Sequence, residues 1–205
     1  MKSGKILVAL AVALLIVALS SVAVGQDKAT AQEVIAKVRE AASTLSKTGD
    51  LAQFNQKQSP WVWKDTYIFV FDCDKKVEAA HPIKPELVGQ DIMSIKDTRG
   101  KNVFPEGWCD AAKKPSGVWI EYWWPKPGEK EGSRKLTYGL SAEGTPYVVA
   151  AGIHDDKATI AELSKLTSKY LGADPDTATG LVKMPSKGNQ EVFLFLGGSA
   201  LVAVG

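Results

Sequence analysis

Histidine is scarce in this chain, with only His81 and His154 among 205 residues. Cysteine is equally scarce, with only Cys73 and Cys109. No Gly-x-Ser-x-Gly elbow, Walker loop or His-Glu-x-x-His helix occurs, so the familiar hydrolase, nucleotide-binding and metalloprotease motifs are missing. No Cys and His spacing suits zinc, and Cys-x-x-Cys-His for haem is absent. No catalytic residue, metal or cofactor is therefore expected, and function has to be sought in binding. Two acidic clusters have simpler readings. Asp72 and Asp74 flank Cys73 where a strand enters a turn, and carboxylates there close turns. His154-Asp155-Asp156 stands where a strand passes into a helix, and Asp at a helix start satisfies free N–H groups.

A charge excess is missing too. Setting aside Lys2 and Lys5, which lie in residues 1–25, takes the 25 basic residues to 23, equal to the 23 acidic ones. A nucleic-acid partner would need a basic face, so none is expected. Composition is otherwise ordinary for a globular protein, at 45% hydrophobic and 23% charged, and the length suits one domain with peripheral segments.

Residues 1–25 read as an export signal. Met1 to Lys5 is basic, Ile6 to Leu19 is uninterrupted apolar chain, and Ala23 and Gly25 are small residues at the cleavage positions. The alternative is an uncleaved anchor, since a run of about 20 weakly polar residues is enough to span a bilayer. The expected location is periplasmic or secreted, or, with residues 6–25 retained, anchored to the inner membrane. In an oxidising compartment an even pair of cysteines usually bonds. A Cys73–Cys109 bond would close a loop worth roughly 3–4 kcal/mol in the chain-entropy model, the alternative being two separate buried thiols.

Asp27 to about Phe54 has an apolar stripe at three- and four-residue steps, Val34, Ile35, Val38, Ala41, Ala42 and Leu45, which predicts a long helix, with a break near Gly49. Five strands follow by composition and alternation: Tyr67 to Phe71, Val77 to Ala80, Gly117 to Trp124, Arg134 to Leu140 and Tyr147 to His154. Their short links favour an antiparallel meander, because parallel pairs need long crossovers. Residues 82–105, rich in Pro and Gly, form a long loop of the kind that is usually functional. Glu106 to Lys113 reads as a short helix, and Ala158 to Leu171 as an amphipathic one. Residues 172–205 carry no assignable pattern.

Trp119, Tyr122, Trp123 and Trp124 crowd one strand, and period-two alternation places rings on both its faces. That exceeds what a single core needs. Aromatic walls with a few polar groups describe small-ligand pockets. Lys135 and Tyr138 on the neighbouring strand would supply polar groups, and a partly enclosed ammonium suits a carboxylate. His81 precedes Pro82, which fixes the turn there.

The order Tyr67 to Phe71, Asp72, Ala80-His81-Pro82, Leu87-Val88-Gly89, Asp97 to Gly100, Tyr122, Trp124, Pro127, Lys135 and Tyr138 resembles the Cache family of extracytoplasmic small-molecule sensors. The resemblance covers about residues 30–157. It implies an α+β, PAS-like five-stranded antiparallel sheet behind a long N-terminal helix, with a C-terminal helix after it. The domain plan is then a signal or anchor over 1–25, a single Cache domain over 27–157, a helix over 158–171 and an unassigned tail over 172–205. The resemblance also implies a non-enzymatic module that binds a small organic anion between the sheet and the long loop. Tyr67, His81, Tyr122, Trp124, Lys135 and Tyr138 are the ligand-binding candidates. A membrane-bound signalling protein or a homodimer would receive the signal, since about 50 residues follow the last strand and no output domain is recognised in them. Gly152-Ile153-His154 departs from the family's usual Gly-Ile-Tyr. The alternative function is a structural or protein-interaction module of a periplasmic or membrane complex.

Overall fold

The computed structural model describes residues 27–172 and two further strands, Gly180–Met184 and Val192–Leu196. The signal or anchor segment lies outside the described residues, as does most of the unassigned tail. Among the described residues no helix is long and apolar enough to cross a membrane.

A capping box opens the first helix, α1 (Ala31–Thr48): Thr30 Oγ1 accepts from Glu33 N, and the Glu33 carboxylate accepts from Thr30 N at 2.8 Å. The buried stripe is the one the spacing predicts, Val34 to Leu45. The helix ends at the expected break, where Gly49 takes the left-handed conformation (φ 63°) and its N–H donates to Leu45 O. Ala52–Asn55 is a separate turn of 3-10 helix that buries Phe54.

The remaining elements are β1 (Val62–Trp63), β2 (Thr66–Tyr67), β3 (Phe69–Asp72), β4 (Val77–Ala80), α2 (Trp108–Ala112), β5 (Val118–Pro125), β6 (Gly132–Ser141), β7 (Tyr147–Ile153), α3 (Ile160–Leu171), β8 (Gly180–Met184) and β9 (Val192–Leu196). The β1–β2 hairpin was not expected, and it breaks the strand read over Tyr67 to Phe71 at Ile68. A second capping box, Thr159 with Glu162, starts α3. β8 and β9 pair antiparallel with each other.

The five-stranded antiparallel sheet is present, in the order β4-β3-β7-β6-β5. It is not a simple meander. Short turns build the β3–β4 hairpin and the β5–β6–β7 run, and β3 joins them by pairing with β7. The long stretch between β4 and β5 connects strands that lie on opposite edges of the sheet.

Each face of the sheet carries its own core. On one, Ile68, Val70, Trp119, Leu136, Tyr138, Val149, Ala151 and Ile153 pack against the buried stripes of α1 and α3. On the other, Tyr67, Phe69, Phe71, Val118, Ile120, Tyr122 and Trp124 pack under Ile92, Ile95, Val103 and Phe104 of the long loop and Trp108 of α2. Two cores explain why rings occupy both faces of β5. The Cys73–Cys109 disulfide forms, tying the end of β3 to α2.

The long loop is fastened at both sheet edges. Beside β4, Glu78 N donates to Gln90 O, Gly89 N to Glu78 O and Ile92 N to Lys76 O. Beside β5, Thr98 N donates to Trp123 O. Asp97 Oδ2 accepts from Trp123 N, while Asp97 Oδ1 accepts from Arg99 N and Lys101 N and shapes the expected turn.

Candidate ligand-binding site

Alternation decides which side chains meet on the loop face of the sheet. Tyr67 and Phe69 project from β2 and β3, Tyr122 and Trp124 from β5, and Lys135 and Thr137 from β6, where Lys135 pairs with Tyr122 and Thr137 with Ile120. Space for the lysine comes from β7. A Cβ on Gly152 would stand 2.7 Å from Lys135 Cε and 2.5 Å from Thr137 Oγ1, so only glycine lets that stem lie across the sheet.

The β4 edge departs from alternation. Val70 pairs with Ala80 but Phe71 pairs with Glu78, so β4 holds one extra residue, Ala79, at a bulge. A bulge re-aims the side chains around it. Ala80 therefore joins the helix-side core, while Glu78 and, just past the strand, His81 both line the loop-side cavity.

Four of the six candidates, Tyr67, His81, Tyr122 and Trp124, line that cavity, and Lys135 packs beside it against Tyr67 and Phe69. Lys135 is 1% exposed. Its Nζ lies 4.4 Å from the Tyr67 ring centroid, 5.2 Å from that of Phe69 and 3.5 Å from Tyr67 Oη. Trp124 Nε1 donates to the same Tyr67 oxygen at 3.2 Å. Tyr122 Oη and Thr137 Oγ1 share a hydrogen bond of 2.9 Å. His81 stacks on Phe69, with centroids 5.7 Å apart, and touches the Tyr67 ring. Its Nδ1 accepts from Ile83 N and Lys84 N, so the ring is neutral and its hydrogen sits on Nε2. Tyr138 does not belong with them. It stands an odd number of residues from Lys135 and so faces the helices, stacked near Trp119 and donating to Ser116 O. Its distance from Lys135 in sequence was enough to exclude it.

Burial dominates the electrostatics. It lowers Lys135 to about 7, against the raising effect of Glu78 and Asp65. Burial likewise pushes Glu78 well above the usual carboxylate range, with Lys135 opposing. His81 falls to about 3, from burial first and then from the charges of Lys135 and Lys84. Tyr67 and Tyr122 are held above the ordinary phenol range by burial. Lys84 lies over the Trp124 ring at 4.5 Å, at the loop side of the cluster.

A small cavity of about 10 Å³ is lined by Tyr67, Phe69, Glu78, His81, Tyr122 and Trp124 and on its other side by loop residues. That holds about one water, so a larger occupant has to spread the walls. A wider cleft of about 330 Å³ opens near the disulfide, around Asp74, Lys113, Ser141 and Thr145. It is a surface groove that none of the candidate residues line. His154 sits beyond the other end of β7, half-buried, with Nδ1 2.8 Å from Ser133 Oγ. Among the described residues no group of His, Cys, Asp and Glu is placed to hold a metal ion.

Sequence reasoning missed Glu78, Phe69 and Thr137. Phe69 and Thr137 follow from Tyr67 and Lys135 by a step of two, so alternation was signal enough. Glu78 had no such signal, because the bulge that exposes it to the cavity leaves no mark in the pattern of β4.

A family model described as a Cache domain matches residues 57–159, half of the chain, and the protein belongs to that family. The methyl-accepting chemotaxis protein McpP of Pseudomonas putida is 32% identical over 118 residues, which make up 57% of this chain and 21% of that protein. The sensor histidine kinase MctS of Rhizobium johnstonii is 30% identical over 93 residues, 45% of this chain and 20% of that protein. The chain thus spans about a fifth of the length of the curated relatives it matches. Among solved structures, a Cache chemosensory domain studied for carboxylic acid recognition is 25% identical, with a TM-score of 0.45, over 62% of this chain and 88% of that one. A methyl-accepting chemotaxis protein from Vibrio parahaemolyticus is 27% identical, with a TM-score of 0.39, over 60% of this chain and 74% of that one.

Proposed function

We propose that this protein is an extracytoplasmic sensor module that binds a small organic acid between the sheet and the long loop. The observation that carries the reading is Lys135: a lysine side chain buried among aromatic rings, against the Tyr67 and Phe69 that line the cavity, with no carboxylate within ion-pair distance among the described residues. Burying such a group costs free energy unless something compensates it. An incoming carboxylate supplies that compensation. Tyr67 Oη and His81 Nε2–H are further donors beside it, and the Trp124 and Phe69 rings form apolar walls for a short carbon chain. Nothing in this arrangement calls for bond making or breaking, so the module acts by occupancy. A membrane-bound signalling protein or a second copy of the chain would read that occupancy, outside the cytoplasm.

The tightness of the cavity favours a second reading, an interaction module with a closed core. The two readings predict different behaviour. Under the first, acetate, propionate, pyruvate or lactate raises the melting temperature, a ligand at 100 times its dissociation constant adding about 2.7 kcal/mol. Lys135→Met keeps the volume and removes the buried charge, so it melts at the same or a higher temperature and gives no response to acid. Unchanged affinity in that variant would remove Lys135 from the site. Indifference of the native protein to all four acids would leave the interaction module standing.

A further inference from the structure

We propose that Glu78 is also a ligand-binding residue, one that holds a proton and donates it in a hydrogen bond to the bound carboxylate, so that the site takes up one monocarboxylate together with one proton. The inference rests on the reading of the cavity as an acid-binding site and adds a residue and a selectivity to it.

Geometry comes first. The Ala79 bulge turns Glu78 into the cavity, where it is 2% exposed and lines the same space as Tyr67, His81, Tyr122 and Trp124. Its Oε1 has no hydrogen-bond partner among the described residues. A buried carboxyl oxygen without a partner is costly, and in a native structure it points to something that completes it. Both backbone groups of Glu78 bond the loop, at Gly89 and Gln90, which fixes its Cα at the wall of the cavity.

Charge counting decides the form of the group. The ionisable groups around Glu78 are Lys135 on β6, Tyr67 on β2, Tyr122 on β5 and His81 at the start of the loop, with Lys84 acting on His81 and Lys135. Asp65 acts on Lys135 from beyond β2. Tyr67, Tyr122 and His81 are neutral near neutral pH. Without ligand, Glu78 and Lys135 balance with one proton between them, whichever holds it. An entering carboxylate adds a negative charge, and two carboxylates beside one buried ammonium cannot both stay ionised. Neutrality returns when Lys135 and Glu78 each carry a proton. Glu78 is the group primed for this, since its burial already favours the neutral acid. Its O–H then meets the ligand oxygen in a charge-assisted bond, the short and strong kind. A dicarboxylate would bring a further negative charge that only Lys84, over the Trp124 ring at the loop side, could meet, and the ammonium of an amino acid would need Glu78 ionised. Both should bind more weakly than a monocarboxylate.

The test is calorimetry of propionate binding at pH 8 in phosphate and in Tris, whose ionisation enthalpies differ. The expected result is uptake of about one proton per propionate bound, and an uptake of zero overturns the proposal. Glu78→Gln keeps a donor and should bind propionate within about threefold of the native protein, whereas Glu78→Val should lose tenfold or more. Equal losses in both would show that an ionised carboxylate is required, and would also overturn it. Should Glu78→Val not melt cooperatively, the Gln variant and the proton count decide. Binding of succinate or alanine as tightly as propionate contradicts the charge count. Native protein that binds propionate without proton uptake sinks only this inference, while native protein that binds no acid takes the underlying site reading down with it.

Discussion

The two faces of one sheet solve opposite problems. The helix face buries Val34, Ile35, Val38 and Leu45 of α1 and Ile160 and Leu163 of α3 against an apolar layer, and its large polar rings are answered locally, Trp119 by Thr167 Oγ1 and Tyr138 by Ser116 O. The loop face buries a lysine, a glutamate and a histidine among aromatic rings and covers them with irregular chain. Regular helices can be packed tightly with side chains that cost nothing to desolvate, so that face supplies stability. The loop face holds less of that kind of packing and, on the proposed reading, places charge where a ligand can meet it. The fold is held mainly from its helix side, and the proposed site lies on the other.

The contrast is sharpest under truncation. Trp119→Ala on the helix face should cost about 3–5 kcal/mol by denaturant unfolding, while Lys135→Met on the loop face should cost nothing. Similar losses at both would erase the distinction. A smaller effect tests how the loop face is built. Gly152→Ala sets a Cβ against Lys135 Cε, Thr137 Oγ1 and the backbone oxygen of Leu136, an overpacking worth about 1–3 kcal/mol. It should also displace the ammonium and weaken acid binding at least tenfold. Retained binding would show that the stem has another route. A third test is one of pH. The His81 ring protonates near 6.5 when unfolded but only at about 3 when folded. The unfolded chain therefore binds more protons between those values, and the stability His81 provides above pH 6.5 is lost as pH falls toward 3. His81→Asn keeps an acceptor for Ile83 N and Lys84 N and does not titrate. The stability gap between native and variant protein should narrow steadily over that range, and a constant gap would mean the ring is charged in the fold.

Most of the fold can be read from the residues. The apolar stripe of α1, the five strands, the Asp97 turn and the disulfide pairing all follow from local spacing or from cysteine count. What escaped is non-local. Strand order escaped because nothing in β3 announces that its free edge will take β7 rather than β5. At the site, the order of motifs brought out Tyr67, His81, Tyr122, Trp124 and Lys135, but strict alternation would have removed Tyr138 and added Phe69 and Thr137. Glu78 was hidden for a physical reason. A bulge is a two-strand property, visible only once Val70 and Phe71 are seen to pair with Ala80 and Glu78.

The stapling of the long loop to both margins of the sheet has a mechanical consequence. The same stretch of chain grips β4 through Gly89, Gln90 and Ile92 and grips β5 through Asp97 and Thr98, like a bowstring drawn across a bow. Whatever swells the space beneath the string must tug both tips together, and the stave between them has to change its bend. A guest of a few atoms would in that way be felt by α1 on the far side of the bow, without any helix having touched it.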